Sequence, residues 1–243
     1  MVLAALFFSA CSTTQNLESI NNAEAHNKLG YLYLSNSQFN KAFIEFQKAI
    51  NLNPKNKEAF NYLGYISARF KKYNEAISYY KRAISIDPDY SDAMNNLGVV
   101  YLDINNWEEA INYFNSALSN PMYSTPEKAY TSMGYAYYKK GDYSKAESVL
   151  KESLIRNPVF PLAMYTLGLV YIKLEKYDYA IKELKKAIGI VPDYYEAHLE
   201  LGKTYILIGK KGKASKHFEV VADEDEDIER RRKASEYIRH LTN

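Results

Sequence analysis

The chain has 243 residues, of which 47% are hydrophobic and 25% charged, and its formal net charge is +2. Lys and Arg number 31 against 29 Asp and Glu. That near balance argues against a nucleic-acid partner, because such proteins need a concentrated basic face. No run of roughly 20 apolar residues occurs, so the sequence predicts no membrane-spanning helix. The length and the repeating pattern described below predict one elongated domain.

The first ten residues are largely apolar and lead to the single cysteine, Cys11. This run, with small residues just before the cysteine, resembles the lipobox of bacterial lipoproteins. The resemblance implies a signal segment at 1–10, a lipid on Cys11 and a polar tether over 11–22. Ser12 then favours the periplasmic face of the outer membrane, by analogy with Gram-negative sorting. No Lys or Arg precedes the apolar run, so we expect the true start upstream of Met1. The alternative is a chance thiol in an apolar N-terminus.

A short pattern recurs six times over the remaining chain. Each copy has Leu or Met before a Gly, an Ala twelve residues after the Gly, and a large apolar residue four residues later. The glycines are Gly30, Gly64, Gly98, Gly134, Gly168 and Gly202. The alanines are Ala42, Ala76, Ala110, Ala146, Ala180 and Ala214. A 34-residue period with Leu-Gly, Ala and a late Pro is identified as the tetratricopeptide repeat (TPR) signature. The predicted repeats are 23–56, 57–90, 91–124, 127–160, 161–194 and 195–226.

The pattern has a physical reason. A Gly inside a helix costs about 1 kcal/mol relative to Ala, so a Gly in every repeat indicates a point where two helices approach closely. One helical hairpin cannot bury its own apolar face, and stability therefore comes from stacked neighbours. The sequence predicts an all-α fold: a right-handed superhelical TPR solenoid of six helix-turn-helix repeats plus a C-terminal capping helix.

The spacing between glycines stretches to 36 residues between the third and fourth repeats. Pro121 ends the preceding helix because proline cannot continue the hydrogen-bond ladder. Thr125 is predicted to cap the next helix, with Pro126 in its first turn. A plain tolerated insertion would explain the extra residues equally well.

Residues 227–243 follow the last repeat and are predicted to form the capping helix. Acidic residues precede basic ones over 223–233, which suits a helix dipole, and Glu226 with Arg230 forms a favourable i,i+4 pair. The alternatives are an acidic metal site and a basic lipid-binding patch. The packing face of the helix is predicted to carry Ile228, Ala234, Ile238 and Leu241.

The segments 120–130, 141–147 and 157–163, read with Gly134, resemble the type IV pilus biogenesis lipoproteins of the PilF/PilW kind. The Asn-Pro-x-Tyr-x-Thr-Pro joint within 120–126 is the most specific element of this resemblance. Proteins of that family have six TPR repeats on a lipidated cysteine. The resemblance implies a pilotin-like role, in which the protein binds secretin subunits of the pilus pore and supports their assembly in the outer membrane.

In TPR folds the first helix of each repeat lines a concave surface, so a partner protein is expected there. In the first three repeats this surface is predicted to carry amide groups that can bond a peptide backbone. The alternative is that the shared Asn residues reflect a recent duplication. The predicted groove residues in this half are Asn27, Tyr31, Asn61, Tyr65, Arg69 and Asn95.

The second half is predicted to carry an apolar strip at the corresponding positions. Exposed strips of this kind mark partner sites, and aromatic anchors dominate interface energies. The alternative is that the capping helix or closure of the superhelix covers the strip. The predicted groove residues here are Tyr135, Tyr138, Leu162, Tyr165, Leu169 and Ile172, with Leu199 and Ile206 continuing the strip.

The sequence gives little support to catalysis. The four histidines lie in different segments, and there is no His-x-x-x-His, cysteine pair or phosphate loop. We expect a protein that is not an enzyme, with no cofactor, metal, nucleic acid or small-molecule substrate, and a membrane contact through the lipid alone. Two other hypotheses stay open: an envelope TPR lipoprotein scaffolding peptidoglycan enzymes or outer-membrane protein assembly, and a soluble co-chaperone if Cys11 is never lipidated.

Overall fold

The computed structural model describes the backbone of residues 2–242 and the side chains of residues 18–241. Within that part the chain forms thirteen α-helices and no strands. The helices are α1 Val2–Ser35, α2 Phe39–Leu52, α3 Lys57–Arg69, α4 Tyr73–Ile86, α5 Ser91–Asp103, α6 Trp107–Ser119, α7 Pro126–Lys140, α8 Tyr143–Arg156, α9 Pro161–Lys173, α10 Tyr177–Ile190, α11 Tyr195–Leu207, α12 Lys211–Glu224 and α13 Ile228–Thr242.

Consecutive helices pack in pairs, from α1 with α2 to α11 with α12, so each predicted repeat contains one pair. The repeat glycine lies where the two helices meet. A Cβ built on Gly202 would lie only 2.6 Å from Cε1 of Phe218, which is fully buried. Gly98 faces Phe114 at the same distance. The missing side chain is what lets the ring of the second helix reach the first, and the all-α prediction is confirmed.

Local side-chain chemistry explains several helix ends. The Asn56 side chain accepts a hydrogen bond from the Ala59 amide at 2.9 Å and caps α3. Gly141 has a φ of +84°, a left-handed conformation that favours glycine, and it ends α7. Pro126 occupies the first turn of α7, as predicted. The prediction for Thr125 is wrong in detail, because its side chain makes no capping hydrogen bond.

The chain divides into two compact units, residues 1–123 and 124–243. The division falls in the irregular joint between α6 and α7. Tyr123 is 8% exposed and belongs to the first unit. The Asn120 side chain closes this end of the unit, since its amide donates to the Asp89 carbonyl at 2.9 Å.

In the first unit, residues 1–123, the structure differs from the predicted tether. Cys11 and the signal segment 1–10 lie outside the residues whose side chains are described. Residues 18–22, assigned to the tether, belong to α1. Ser19 Oγ donates to the Leu52 carbonyl at 2.9 Å, which fastens this part of α1 to the end of α2. Ala23, the first residue of the predicted first repeat, is fully buried.

The second unit, residues 124–243, ends in the predicted capping helix, α13. Tyr237 stacks on Phe218 with ring centroids 4.7 Å apart, and Ala234 is fully buried. Two details differ from the prediction. Arg230 bonds Asp225, which is 3% exposed, with Nε at 2.5 Å from Oδ2, instead of pairing with Glu226. Ile228 is 80% exposed, because α13 begins at this residue before the helix reaches its packing face.

Candidate protein-binding surfaces

Four of the predicted groove residues of the first unit meet around one cavity of about 350 Å³. They are Tyr31 and Tyr65, whose side chains are 57% and 42% exposed, together with Asn61 and Arg69. We call this surface the unit 1 groove. Its remaining lining comes from Leu34, Ser35, Ser37, Phe39, Tyr62 and Asn96.

The three asparagines predicted to bond a partner behave differently from one another. Asn61 is 7% exposed, and its Oδ1 accepts a hydrogen bond from Asn96 at 3.0 Å, so this amide oxygen is used within the fold. Asn27 and Asn95 do not line the cavity. Their Oδ1 atoms are buried without a hydrogen-bond partner. The prediction that all three amides face a partner is therefore not supported by their placement.

The unit 1 groove combines aromatic faces with one cationic side chain, Arg69. Burial raises the pKa of Tyr62, and the neighbouring Tyr31 and the Asp92 carboxylate add to the shift. The phenol therefore stays protonated and can donate a hydrogen bond. Arg69 lies over the Phe39 ring at 4.5 Å from its centroid, a cation–π contact that orients the guanidinium.

A second cavity of the first unit, about 490 Å³, was missed by the sequence interpretation. Ile44 and Phe70 are 53% and 52% exposed at its mouth, and Ser67 Oγ is buried without a hydrogen-bond partner. One feature of the sequence indicates this apolar surface. The position of Ile44 carries a polar residue in the other five repeats: Ser78, Asn112, Ser148, Lys182 and Lys216.

In the second unit the predicted apolar strip is partly exposed. Leu162 and Tyr135 are 48% and 38% exposed, whereas Tyr138, Tyr165, Leu169 and Ile172 are half-buried. The Tyr135 and Tyr138 rings lie 6.1 Å apart. We call these six residues the unit 2 strip.

Tyr165 also has a packing role in the core, in addition to its position on the unit 2 strip. Its ring lies 5.0 Å from that of Tyr194 and packs against the core of α11 and α12. Burial raises the pKa of Tyr165, and Glu200 adds to the shift. Burial and Glu200 also raise the pKa of Tyr138. Both phenols are thus hydrogen-bond donors beside a carboxylate.

Leu199 does not continue the exposed strip, and that part of the prediction is wrong. It is 7% exposed and belongs to the core cluster that α13 helps to cover. Beside it lies a cavity of about 400 Å³ between α11 and α13. Its lining is Leu199, Lys203, Lys233, Glu236, Tyr237 and His240.

Two histidines of the second unit, His198 and His217, have packing roles. His198 is 6% exposed, and its Nε2 donates to the Pro192 carbonyl at 3.1 Å. Its Nδ1 then accepts from His217 Nδ1, also at 3.1 Å. Burial lowers the pKa of both rings, to about 4 for His217. Because a lowered pKa favours the uncharged ring, two neutral imidazoles are compatible with this buried position.

Family models match most of the repeat region. Models described as tetratricopeptide repeat match residues 23–56 and 57–120, and one described as TPR repeat matches 168–209. The chain is a tetratricopeptide repeat protein. A further model, described as anaphase-promoting complex, cyclosome, subunit 3, matches residues 103–187 of this TPR protein.

The TPR protein is similar over most of its length to two solved structures. One is PilW, described as a widely conserved type IV pilus biogenesis factor. It is 24% identical, with a TM-score of 0.80, and the match covers 91% of this chain and 98% of that one. The other is PilF of Pseudomonas aeruginosa, which is 16% identical with a TM-score of 0.78, covering 90% and 99%. At these identities the comparison establishes a shared fold.

Among curated proteins, the TPR protein is similar to human protein O-mannosyl-transferase TMTC2. The two are 32% identical over 90 residues, which is 36% of this chain and 11% of that protein. The chain thus spans about a tenth of this relative.

Among the residues that the structure describes, no three or more His, Cys, Asp or Glu side chains form a possible metal site. In the same residues, no helix has the length and hydropathy required to cross a membrane.

Proposed function

We propose that this TPR protein is a non-catalytic adaptor of type IV pilus biogenesis. It binds secretin subunits through the inner faces of its repeats, and a lipid on Cys11 anchors it at the periplasmic face of the outer membrane. The observation that carries the proposal is the match along nearly the whole of both chains with PilW and PilF. The joint over 120–126, which interrupts the repeat period, adds to it.

The surfaces of the two units suit a polypeptide ligand. The unit 1 groove and the unit 2 strip both present tyrosine rings, which supply large contact area at a low cost in side-chain entropy. A tyrosine also carries a hydroxyl group that can bond a peptide backbone. Truncating one anchor of this kind commonly weakens binding by about 2 kcal/mol or more, roughly 30-fold.

Binding without catalysis also fits the described side chains. The buried histidine pair of α11 and α12 bonds within the fold, and His26 Nδ1 bonds Glu45 at 2.6 Å. The transferase activity in the name of TMTC2 belongs to a protein of which this chain spans 11%.

The test is affinity capture of the secretin from envelope extracts with the tagged full-length protein. Leu162→Asp places a charge on the unit 2 strip, and Ile155→Asp is the matched control, because Ile155 is 71% exposed on α8 and is not a strip residue. We expect the native protein and the control to capture the secretin, and the Leu162 variant to retain at most about a tenth as much. Leu162 is preferable to Tyr165, since an Asp at Tyr165 would also disturb its packing on Tyr194.

Circular dichroism of both variants controls for folding. Equal capture by the two variants would remove the strip from the proposal. Capture of peptidoglycan enzymes without any secretin would overturn the pilus assignment and favour the other envelope scaffold.

A further inference from the structure

The last helix, α13, repeats the geometry of the first helix of a TPR. All six repeats have an Ala five residues before the repeat Gly, and it is fully buried in the five repeats that follow another repeat. In α13 the fully buried Ala234 packs in the same way against Phe218 and Val221 of α12. The five buried alanines of the repeats are Ala59, Ala93, Ala129, Ala163 and Ala197.

This alignment predicts which side chains of α13 face inward. In α9 the residues two and six positions after the Ala are Tyr165 and Leu169, both on the unit 2 strip. In α11 they are Leu199 and Lys203, which line the cavity beside α13. In α13 they are Glu236 and His240, and both line the same cavity. α13 therefore continues the inner face of the second unit as the first helix of an incomplete seventh repeat.

The cavity has an apolar floor and a cationic rim. Leu199 and the Tyr237 ring form the floor. Lys203 and Lys233 line the rim and remain 37% and 55% exposed. The one carboxylate in the lining, Glu236, is already bonded by Arg232 at 3.2 Å.

Each lysine forms an ion pair but keeps hydrogen-bond donors available. Glu200 holds Lys203 Nζ at 2.8 Å, and Glu229 lies 3.8 Å from Lys233 Nζ. An ammonium group has three donors, so each lysine can bond a further acceptor. The net positive lining over an apolar floor is complementary to an anionic group that follows an apolar one.

We propose that this cavity receives an acidic side chain, flanked by an apolar residue, from a partner polypeptide that lies along the inner face of the second unit. This rests on the proposed adaptor function and deepens it, because it names the chemistry of the segment that is bound. α13 then acts as a ligand-binding helix in addition to covering the core.

The test begins with a random peptide library displayed on phage, with peptides about 12 residues long, ~40 Å when extended. It is selected on the full-length protein. We expect enrichment of Asp or Glu next to an apolar residue. The best peptide is then synthesised with its acidic residue and with the corresponding amide, and both dissociation constants are measured by fluorescence polarisation.

The double variant K203Q/K233Q removes the cations, and K182Q/K216Q removes the same charge from exposed positions on α10 and α12. We expect K203Q/K233Q to bind the acidic peptide roughly 2- to 20-fold more weakly, because each solvent-exposed ion pair contributes up to about 1 kcal/mol. The control variant should bind it as the native protein does. The amide peptide should bind all three proteins equally.

The other outcomes distinguish failure of this inference from failure of the proposed adaptor function. Enriched peptides without an acidic preference, sensitive to Leu162→Asp, would overturn this inference and leave the adaptor function standing. An acidic preference that persists in K203Q/K233Q would place the anion elsewhere and overturn the assignment to this cavity. A library with no enriched peptide would count against both proposals.

Discussion

Gly202→Ala tests whether the repeat glycines serve close helix packing. A Cβ at this position would lie 2.6 Å from Cε1 and 2.7 Å from Cζ of Phe218. The ring is fully buried and stacks on Tyr237 of α13, so it cannot move aside freely. Overpacking of this kind costs about 1–3 kcal/mol, while Ala gains about 1 kcal/mol of helix propensity over Gly. The two effects together give a net destabilisation of about 0–2 kcal/mol, and we expect a value near the upper limit because the ring is confined.

Gly212→Ala is the matched control, because it makes the same change in the same repeat. A Cβ on Gly212 meets no atom within 4 Å, so we expect stabilisation of up to about 1 kcal/mol. Urea unfolding followed by far-UV circular dichroism compares the two variants, and hydrogen exchange reports whether α11 to α13 open. If both variants unfold at the same urea concentration, close packing is not the reason for the repeat glycine.

Two further predictions follow from individual contacts, and a third follows from the lipid anchor proposed on Cys11. Burial, with His198 adding to it, lowers the pKa of His217 to about 4. The unfolded chain, with its ordinary value of about 6.5, binds that proton first, so stability is complete above pH 6.5 and falls as the pH drops towards 4. His217→Phe should flatten this profile in urea unfolding measured across that range, and an unchanged slope would contradict the assignment. Arg230→Gln leaves the buried Asp225 carboxylate without its ion pair, so we expect a loss of about 1–3 kcal/mol and faster hydrogen exchange in α13. The change Asp225→Asn in the same chain should restore part of the stability, and no restoration would mean that the pair is not the cause. Cys11→Ser should move the protein from the membrane to the soluble fraction, and unchanged fractionation would remove the lipid anchor.

The sequence predicted the surfaces less well than the fold. Tyr31, Tyr65 and Arg69 line one cavity, because a residue's position within the repeat decides the face of the helix on which it lies. The sequence also placed Asn61 in this groove, but it did not reveal that the amide oxygen of Asn61 is engaged within the fold, and it wrongly predicted that Leu199 is exposed. Both features depend on a neighbouring residue that repeat position does not identify. Asn61 is engaged by Asn96 of the next repeat, and Leu199 lies in the core beside α13.

The ion pairs of the C-terminal segment also could not be predicted from residue spacing alone. The spacing of Glu226 and Arg230 permits an ion pair, but Asp225 lies closer once the chain turns between α12 and α13. Pairing along a helix can be read from spacing, whereas pairing across a turn depends on the path of the backbone.

Local sequence features are sufficient to predict the helical hairpins, their number and the interruption between the third and fourth repeats. These features follow from local periodicity, helix-breaking prolines and a Gly whose partner lies a fixed number of residues away. Tertiary structure alone decided which side chains remain open to a partner. That depends on what each neighbouring helix covers, and for the cavity beside α13 it depends on how the last helix packs against α12.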